Sequence, residues 1–229
     1  MNVVEVKGLS IEFGGARVLE DINFEVERGS VLAIIGPNGA GKTVLLKSLI
    51  GLIPHGGAVR WADGVRIGYV PQRMDIETDV PLTVREFVAL RGAGVSMAKI
   101  KEALGFVQLD ERLLDAGLGE ISIGQRQRVL VAWAVIGGPD VLLFDEPTAD
   151  IDITGQESIY KMLYHLQKNL GLTVIMVSHD LNVVYRHASI VMCLNRSKLC
   201  YGAPREVLSS EQLFNLYGGE KAFFQHKHG

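Results

Sequence analysis

Five apolar residues at 31–35, Val-Leu-Ala-Ile-Ile, run directly into Gly36-Pro37-Asn38-Gly39-Ala40-Gly41-Lys42-Thr43, after which the spacing predicts a helix over 42–50 that stops at Gly51. The octapeptide fits G-x-x-x-x-G-K-[ST] at each fixed position, and the apolar run and following helix supply the strand–loop–helix setting that the pattern requires. Its glycines let backbone N–H groups turn inward around a polyphosphate, where a side chain would block the approach. Lys42 would reach the β- and γ-phosphates, the Thr43 hydroxyl would bind Mg²⁺, and the helix N-terminus would add partial positive charge. The segment implies binding of a nucleoside triphosphate. It also places a strand buried on both faces near the middle of a parallel sheet.

With 229 residues, 48% of them hydrophobic, the chain can build one sizeable core. A net charge of -3 with both signs dispersed offers no electrostatic footprint for nucleic acid. The start lacks the pattern of a secretory signal. The longest apolar stretches, 129–138 and 141–144, are broken by glycines, Pro139 and Asp140, and fall short of the roughly 20 residues that cross a bilayer. A soluble protein that docks onto a membrane component fits these properties. Cys193 and Cys200 flank Asn-Arg-Ser-Lys, which reads as a hairpin with a two-residue loop at Arg196-Ser197. The two cysteines should lie opposite each other as ordinary strand residues, with cytosolic redox conditions keeping them as thiols.

Residues 3–26 alternate polar and apolar side chains on either side of Gly14-Gly15 and read as an antiparallel hairpin. Short strands are expected at 58–61 and 65–70. Helical patterns follow near 83–91, 97–104 and 124–136. Strands at 141–144 and 173–177 then alternate with helices at 155–169 and 181–186, ahead of the cysteine hairpin. This is the pattern of an α/β fold with a mostly parallel sheet covered on both faces and a helical insertion to one side.

The strand at 141–144 ends in Asp145-Glu146, followed by Pro147-Thr148. Carboxylates at the carboxyl end of a strand in an open α/β sheet face the ligand crevice. Asp145 would help hold Mg²⁺ through water, and Glu146 would orient or deprotonate an attacking water. The strand at 174–178 ends at His179-Asp180, which brings a histidine to the same edge. There His179 could hydrogen-bond the γ-phosphate and keep water and Glu146 in register. The chemistry implied is attack of water on the γ-phosphate, with charge stabilised by loop amides, Lys42 and Mg²⁺.

Together with Ile121-Ser122-Ile123-Gly124-Gln125, these motifs resemble the ATP-binding subunit of ABC transporters over nearly the whole chain. The resemblance implies ATP and Mg²⁺ as ligands and a RecA-like, mostly parallel sheet core. It further implies an N-terminal antiparallel β subdomain and a helical subdomain inserted at about 73–137, all within a single nucleotide-binding domain spanning 1–229. It implies that Phe13 stacks on adenine and that Gln72 is a Q-loop residue reaching the metal and the reacting centre. Residues 149–152, ending in Asp152, would form the D-loop, with Asp152 at the nucleotide, and His179 the switch histidine. A head-to-tail homodimer is also implied, with each ATP between the phosphate loop of one copy and Ser122, Gly124 and Gln125 of the other. Two positions depart from the family pattern. Ile123 replaces the first signature glycine, so that a φ above zero there would be costly, and Trp133 stands where arginine is common.

The segments 69–73 (Tyr-Val-Pro-Gln-Arg), 81–84 (Pro-Leu-Thr-Val), 194–196 (Leu-Asn-Arg), 202–207 (Gly-Ala-Pro-Arg-Glu-Val) and 216–218 (Leu-Tyr-Gly) look like the zinc/manganese importer branch. That branch implies integral-membrane permease subunits, a substrate-binding protein and a place on the inner face of the cell membrane. Val80, Leu82, Phe87 and Leu90 would then receive a permease coupling helix, or pack on their own subdomain. His226 and His228 near the chain end could hold a metal ion weakly. A soluble ABC ATPase that assists cofactor assembly would keep the same ATP motifs, and a phosphate-loop kinase would lack reason for the 121–125 segment. Because Ile123 stands where the family tolerates glycine, Ile123→Gly is expected to leave the steady-state ATPase rate unchanged or to raise it. A drop of about tenfold or more would show that isoleucine is required.

Overall fold

The computed structural model describes residues 1–72, 81–92, 94–148, 151 and 153–217. Along the chain come β1 (Asn2–Phe13), β2 (Ala16–Glu27), β3 (Val31–Ile35), α1 (Lys42–Leu49), β4 (Gly56–Trp61), β5 (Ile67–Val70), α2 (Val84–Ala89), α3 (Met97–Phe106) and α4 (Ile123–Ile136). The second half holds β6 (Val141–Asp145), α5 (Ile153–Leu170), β7 (Thr173–Val177), α6 (Leu181–His187), β8 (Ile190–Asn195), β9 (Ser197–Gly202), α7 (Pro204–Val207) and α8 (Ser210–Tyr217).

Period-two alternation makes β1 and β2 a hairpin across Gly14–Gly15, where φ values of 56° and 80° suit glycine. β4 pairs with the other edge of β1 to complete a three-stranded antiparallel sheet. The second sheet has the order β5-β6-β7-β3-β8-β9, parallel throughout except for the β8–β9 hairpin. β3 lies inside it, flanked by β7 and β8, and all five of its residues are buried, as the continuous apolar run predicts.

The parallel sheet divides the core by strand alternation. Ala33, Ile35, Leu142, Phe144, Val174 and Met176 pack toward α2, α3, α4 and α5. Leu32, Ile34, Leu143, Ile175 and Val177 face Leu45 and Leu46 of α1 and the apolar side of the antiparallel sheet. α1 is thus held between the two sheets, with α2 to α5 on the other face of the parallel sheet. No helix among the described residues is long and apolar enough to cross a membrane.

Two local readings change. The strand expected at 65–70 begins at Ile67. Cys193 and Cys200, expected as thiols, form a disulfide with Cα atoms 4.8 Å apart. The hairpin turns more tightly than a two-residue loop. Asn195 pairs with Ser197 around Arg196 alone, which takes φ 63°, and an irregularity at Leu199 restores Cys193 opposite Cys200. That register brings the pair inside the Cα separation of about 4.4–6.8 Å that a disulfide spans.

Candidate active site at the carboxyl ends of β3, β6 and β7

The phosphate loop leaves β3 and enters α1 under tight steric limits. A Cβ on Gly36 would lie 2.0 Å from the Leu194 carbonyl oxygen of β8. Gly39 holds φ 78°, and Gly41 caps α1 at φ 94°, where a Cβ would meet Leu19 Cδ2 at 2.6 Å. Two of these glycines are therefore required by neighbouring atoms, and Gly39 and Gly41 by backbone conformation. The Arg196 amide donates to the Ala40 carbonyl (3.2 Å), so the β8–β9 turn braces the loop.

Lys42 opens α1 with its side chain only 5% exposed. Its ammonium donates to the carbonyls of Gly36 (2.9 Å) and Pro37 (3.0 Å) and lies 3.8 Å from Glu146 Oε1. Burial lowers its pKa, opposed by the charges of Glu146 and Asp145. The Thr43 hydroxyl donates to Asp145 Oδ1 at 2.9 Å, and Tyr69 of β5 donates to Oδ2 at 3.4 Å. Asp145 is 1% exposed, and burial pushes its carboxyl above the usual range, with the Thr43 hydrogen bond opposing.

Glu146 is the meeting point. Gln72 Nε2 donates to its Oε2 at 2.9 Å, and His179 Nε2 lies 2.5 Å from Oε1. The His179 hydrogen bond is the main force holding the Glu146 carboxyl below its usual range, with Lys42 contributing and burial opposing. Glu146 also takes φ 48°, uncommon for a side-chain-bearing residue and typical of backbone held in place at functional sites. An open cleft of about 400 Å³ runs along this group, lined by Val18, Asn38, Gly39, Ala40, Gly41, Lys42, Thr43, Val44, Gln72 and Glu146. The arrangement can bind an anion at the loop, keep a carboxylate ionised beside a half-exposed histidine, and present oxygen donors to a hard cation.

The family model described as ABC transporter matches residues 19–149. The chain is 40% identical over 99% of its length to the zinc import ATP-binding protein ZnuC of Yersinia pestis bv. Antiqua, covering 90% of that protein. The chain belongs to the ABC transporter ATP-binding family. The ZnuC of Histophilus somni is 38% identical, with 99% of this chain and 87% of that protein covered. Among solved structures, cbiO1 from Clostridium perfringens, part of the ABC transporter complex cbiONQ, superposes with a TM-score of 0.79 at 28% identity, covering 93% of each chain. An ATP-binding cassette of an ABC transporter in its ADP conformation gives 0.83 at 23% identity over 96% of this chain and all of that one, a likeness of fold. As a member of this family the chain is an ATP-binding ATPase that serves transport and works with membrane permease components.

The expected residues are distributed as follows. Gly39 to Thr43, Asn38, Gln72, Asp145, Glu146 and His179 come together, with Gly36 and Pro37 beneath the Lys42 ammonium. Phe13 does not line this cleft; it lies half-exposed at the end of β1, where Val18 from β2 forms the wall instead. Ser122, Gly124 and Gln125 sit apart at the start of α4. Ser122 Oγ accepts from the Gln125 amide (3.2 Å), and Gln125 Oε1 accepts from the Ser122 amide (2.9 Å), a reciprocal capping box. Ile123 is the first residue of α4 and does not take positive φ, so the feared backbone cost does not arise; its side chain is 49% exposed. Asp152, Val80, His226 and His228 lie outside the described residues.

Trp133 lies beside Phe87 (ring centroids 6.2 Å apart) and under the Arg91 guanidinium, 4.7 Å from the ring centre. Phe87 therefore belongs to the interior, while Leu90 is exposed. Sequence reading missed Tyr69 and its contact with Asp145. The signal was present in strand alternation, since Tyr69 pairs with Leu143, two residues before Asp145.

Asp145 supplies a test. Its raised pKa means that the folded chain binds this proton more tightly than the unfolded chain. The ionised form therefore opposes folding above the folded pKa, and the effect vanishes below the unfolded pKa. Without nucleotide or metal, Asp145→Asn is expected to match or exceed the native urea midpoint at pH 7.5. The advantage should shrink as pH falls into the carboxyl range. A lower midpoint at pH 7.5 would show that the Thr43 and Tyr69 contacts outweigh desolvation.

Proposed function

We propose that this chain is the ATP-hydrolysing subunit of a zinc importer, a single nucleotide-binding domain that works as a homodimer at the cytoplasmic face of the membrane. The observation that carries the reading is the 40% identity, spanning 99% of the chain, to a protein named for zinc import. A permease pair and a substrate-binding protein would complete the transporter.

In this reading the ATP phosphates lie against the backbone N–H groups from Gly39 to Thr43, and adenine would have to extend past Val18 to stack on the half-exposed Phe13. The donor set fits Mg²⁺. The Thr43 hydroxyl and the Asp145 carboxylate are hard oxygen ligands 2.9 Å apart, and Gln72 spends its amide nitrogen on Glu146, leaving its oxygen for a cation. The buried Asp145 has its carboxyl pushed up, and a cation here would reverse that. When bound, the metal would neutralise charge on the terminal phosphates.

The chain's own groups carry the remaining steps. Lys42 would exchange its carbonyl contacts for the γ-phosphate and stabilise the charge that develops there. Glu146, kept ionised by His179 and Lys42, would accept a proton from water. The water oxygen bonds to the γ-phosphorus while the bond to the ADP oxygen breaks. His179 would hold Glu146 and the γ-phosphate in register. From the second copy, Ser122 and the Gly124 amide would face the same phosphate. Among the described residues, none comes within 4 Å of a Cβ placed on Gly124, which leaves room for such an approach.

Glu146→Gln keeps the shape of the site and removes the proton acceptor. It is expected to lower ATP turnover by about 100-fold or more, to elute as an ATP-dependent dimer, and to abolish zinc accumulation in zinc-starved cells that carry it in place of the native chain. Loss of turnover with normal zinc accumulation would leave the ATPase and refute zinc as the cargo.

A further inference from the structure

The strand ladder that aligns Glu146 with His179 ends below them. The last β6–β7 pair is Asp145 with Val177, and both functional side chains lie on the loops just beyond. Glu146 holds φ 48° there, a conformation its own backbone does not favour, so something else must fix the loop.

A buried hydroxyl chain does so. Tyr160 of α5 is 4% exposed, with its ring in the helical core and its hydroxyl aimed at the ends of β6 and β7. That hydroxyl lies 3.1 Å from Thr148 Oγ1, two residues after Glu146, and 3.1 Å from Ser178 Oγ, the residue before His179. Ser178 is 1% exposed, and its Oγ accepts from the Asp180 amide at 3.1 Å. Among the described residues, Tyr160 and the Glu146–His179 contact are the hydrogen-bonded links between these two loops. A phenol has one hydrogen, so Tyr160 can donate to only one of these two hydroxyls, and its oxygen can accept from the other. Burial raises its pKa and keeps that hydrogen in place. The same residues, with Gln156, line a cavity of about 340 Å³ that ends on Glu146 and His179.

We infer that Tyr160 is a positioning residue for ATP hydrolysis, latching the Thr148 and Ser178 loops so that Glu146 and His179 meet at reacting distance. The inference rests on the roles proposed above for Glu146 and His179. Tyr160 touches neither the cleft that would hold ATP nor the phosphate loop, so its effect belongs to the chemical step rather than to binding.

Tyr160→Phe removes one oxygen and keeps the ring. In steady-state assays of the purified chain, kcat is expected to fall threefold or more, with KM for ATP within twofold of native and the thermal midpoint nearly unchanged. Ser178→Ala and Thr148→Val should show the same split, and they carry the test if Tyr160→Phe fails to fold. An unchanged kcat would overturn the inference. A rise in KM that parallels the loss, or a loss no larger than the unfolded fraction, would overturn it in favour of a packing role. Glu146→Gln measured alongside separates the two levels. Retained turnover there would remove the underlying reading, whereas its loss beside a native kcat in Tyr160→Phe would remove the role of Tyr160 alone.

Discussion

Strand register sets the geometry of the whole site. Ile34 pairs with Val177, and Val177 pairs with Asp145, so β3, β7 and β6 end at one level. The phosphate loop, the Asp145–Glu146 pair and His179 leave the sheet side by side because of this. A slip of one residue in any of these strands would exchange the side chains packed against α2 to α5 with those packed against α1 and the antiparallel sheet, and the close packing of both faces resists it. The core that stabilises the fold and the alignment that serves chemistry are thus the same set of contacts. The sheet brings the functional side chains to within a hydrogen bond of each other, while the loops that carry Glu146 and His179 extend beyond its last pair and need support of their own.

What the sheet does not settle is charge. An ammonium and two carboxylates are gathered where water is largely excluded, an arrangement that costs free energy unless each finds a partner. The chain meets that cost unevenly. Lys42 is held by two carbonyls and by Glu146, and Glu146 by His179 and Gln72. Asp145 accepts from the neutral hydroxyls of Thr43 and Tyr69, and burial raises its proton affinity against the pull of those hydrogen bonds. A carboxylate left short of positive charge inside an otherwise balanced cluster marks the place where a cation would be welcome. The carbonyls under Lys42 are likewise weak partners that a phosphate would readily displace.

Much of this was legible before any coordinates. A continuous apolar strand followed by glycines, lysine and threonine has few physical readings, and two later apolar strands ending in Asp-Glu and in His-Asp had to share an edge with it. The misses have definite causes. Tyr160 occupies an apolar position of a helix, where periodicity cannot tell a core aromatic from one whose hydroxyl has a task. Cys193 and Cys200 were correctly placed opposite each other, but the single-residue turn at Arg196 and the irregularity at Leu199 are matters of backbone conformation that composition does not reveal. Ile123 looked costly because glycine at that position suggested positive φ, yet a capping box places it on the first turn of a helix, where isoleucine is conformationally ordinary.

The start of α4 shows where a single chain ceases to explain itself. Ser122 and Gln125 satisfy each other's backbone, Ile123 leaves half its surface in solvent, and Gly124 has open space where a side chain could stand. Among the described residues nothing requires a glycine there, in contrast to Gly36, where a Cβ would lie 2.0 Å from the Leu194 carbonyl oxygen. A helix N-terminus is suited to receive an anion, yet the phosphate loop of the same chain lies elsewhere. In the homodimer proposed above, head-to-tail pairing would bring this helix start of one copy to the phosphate loop of the other.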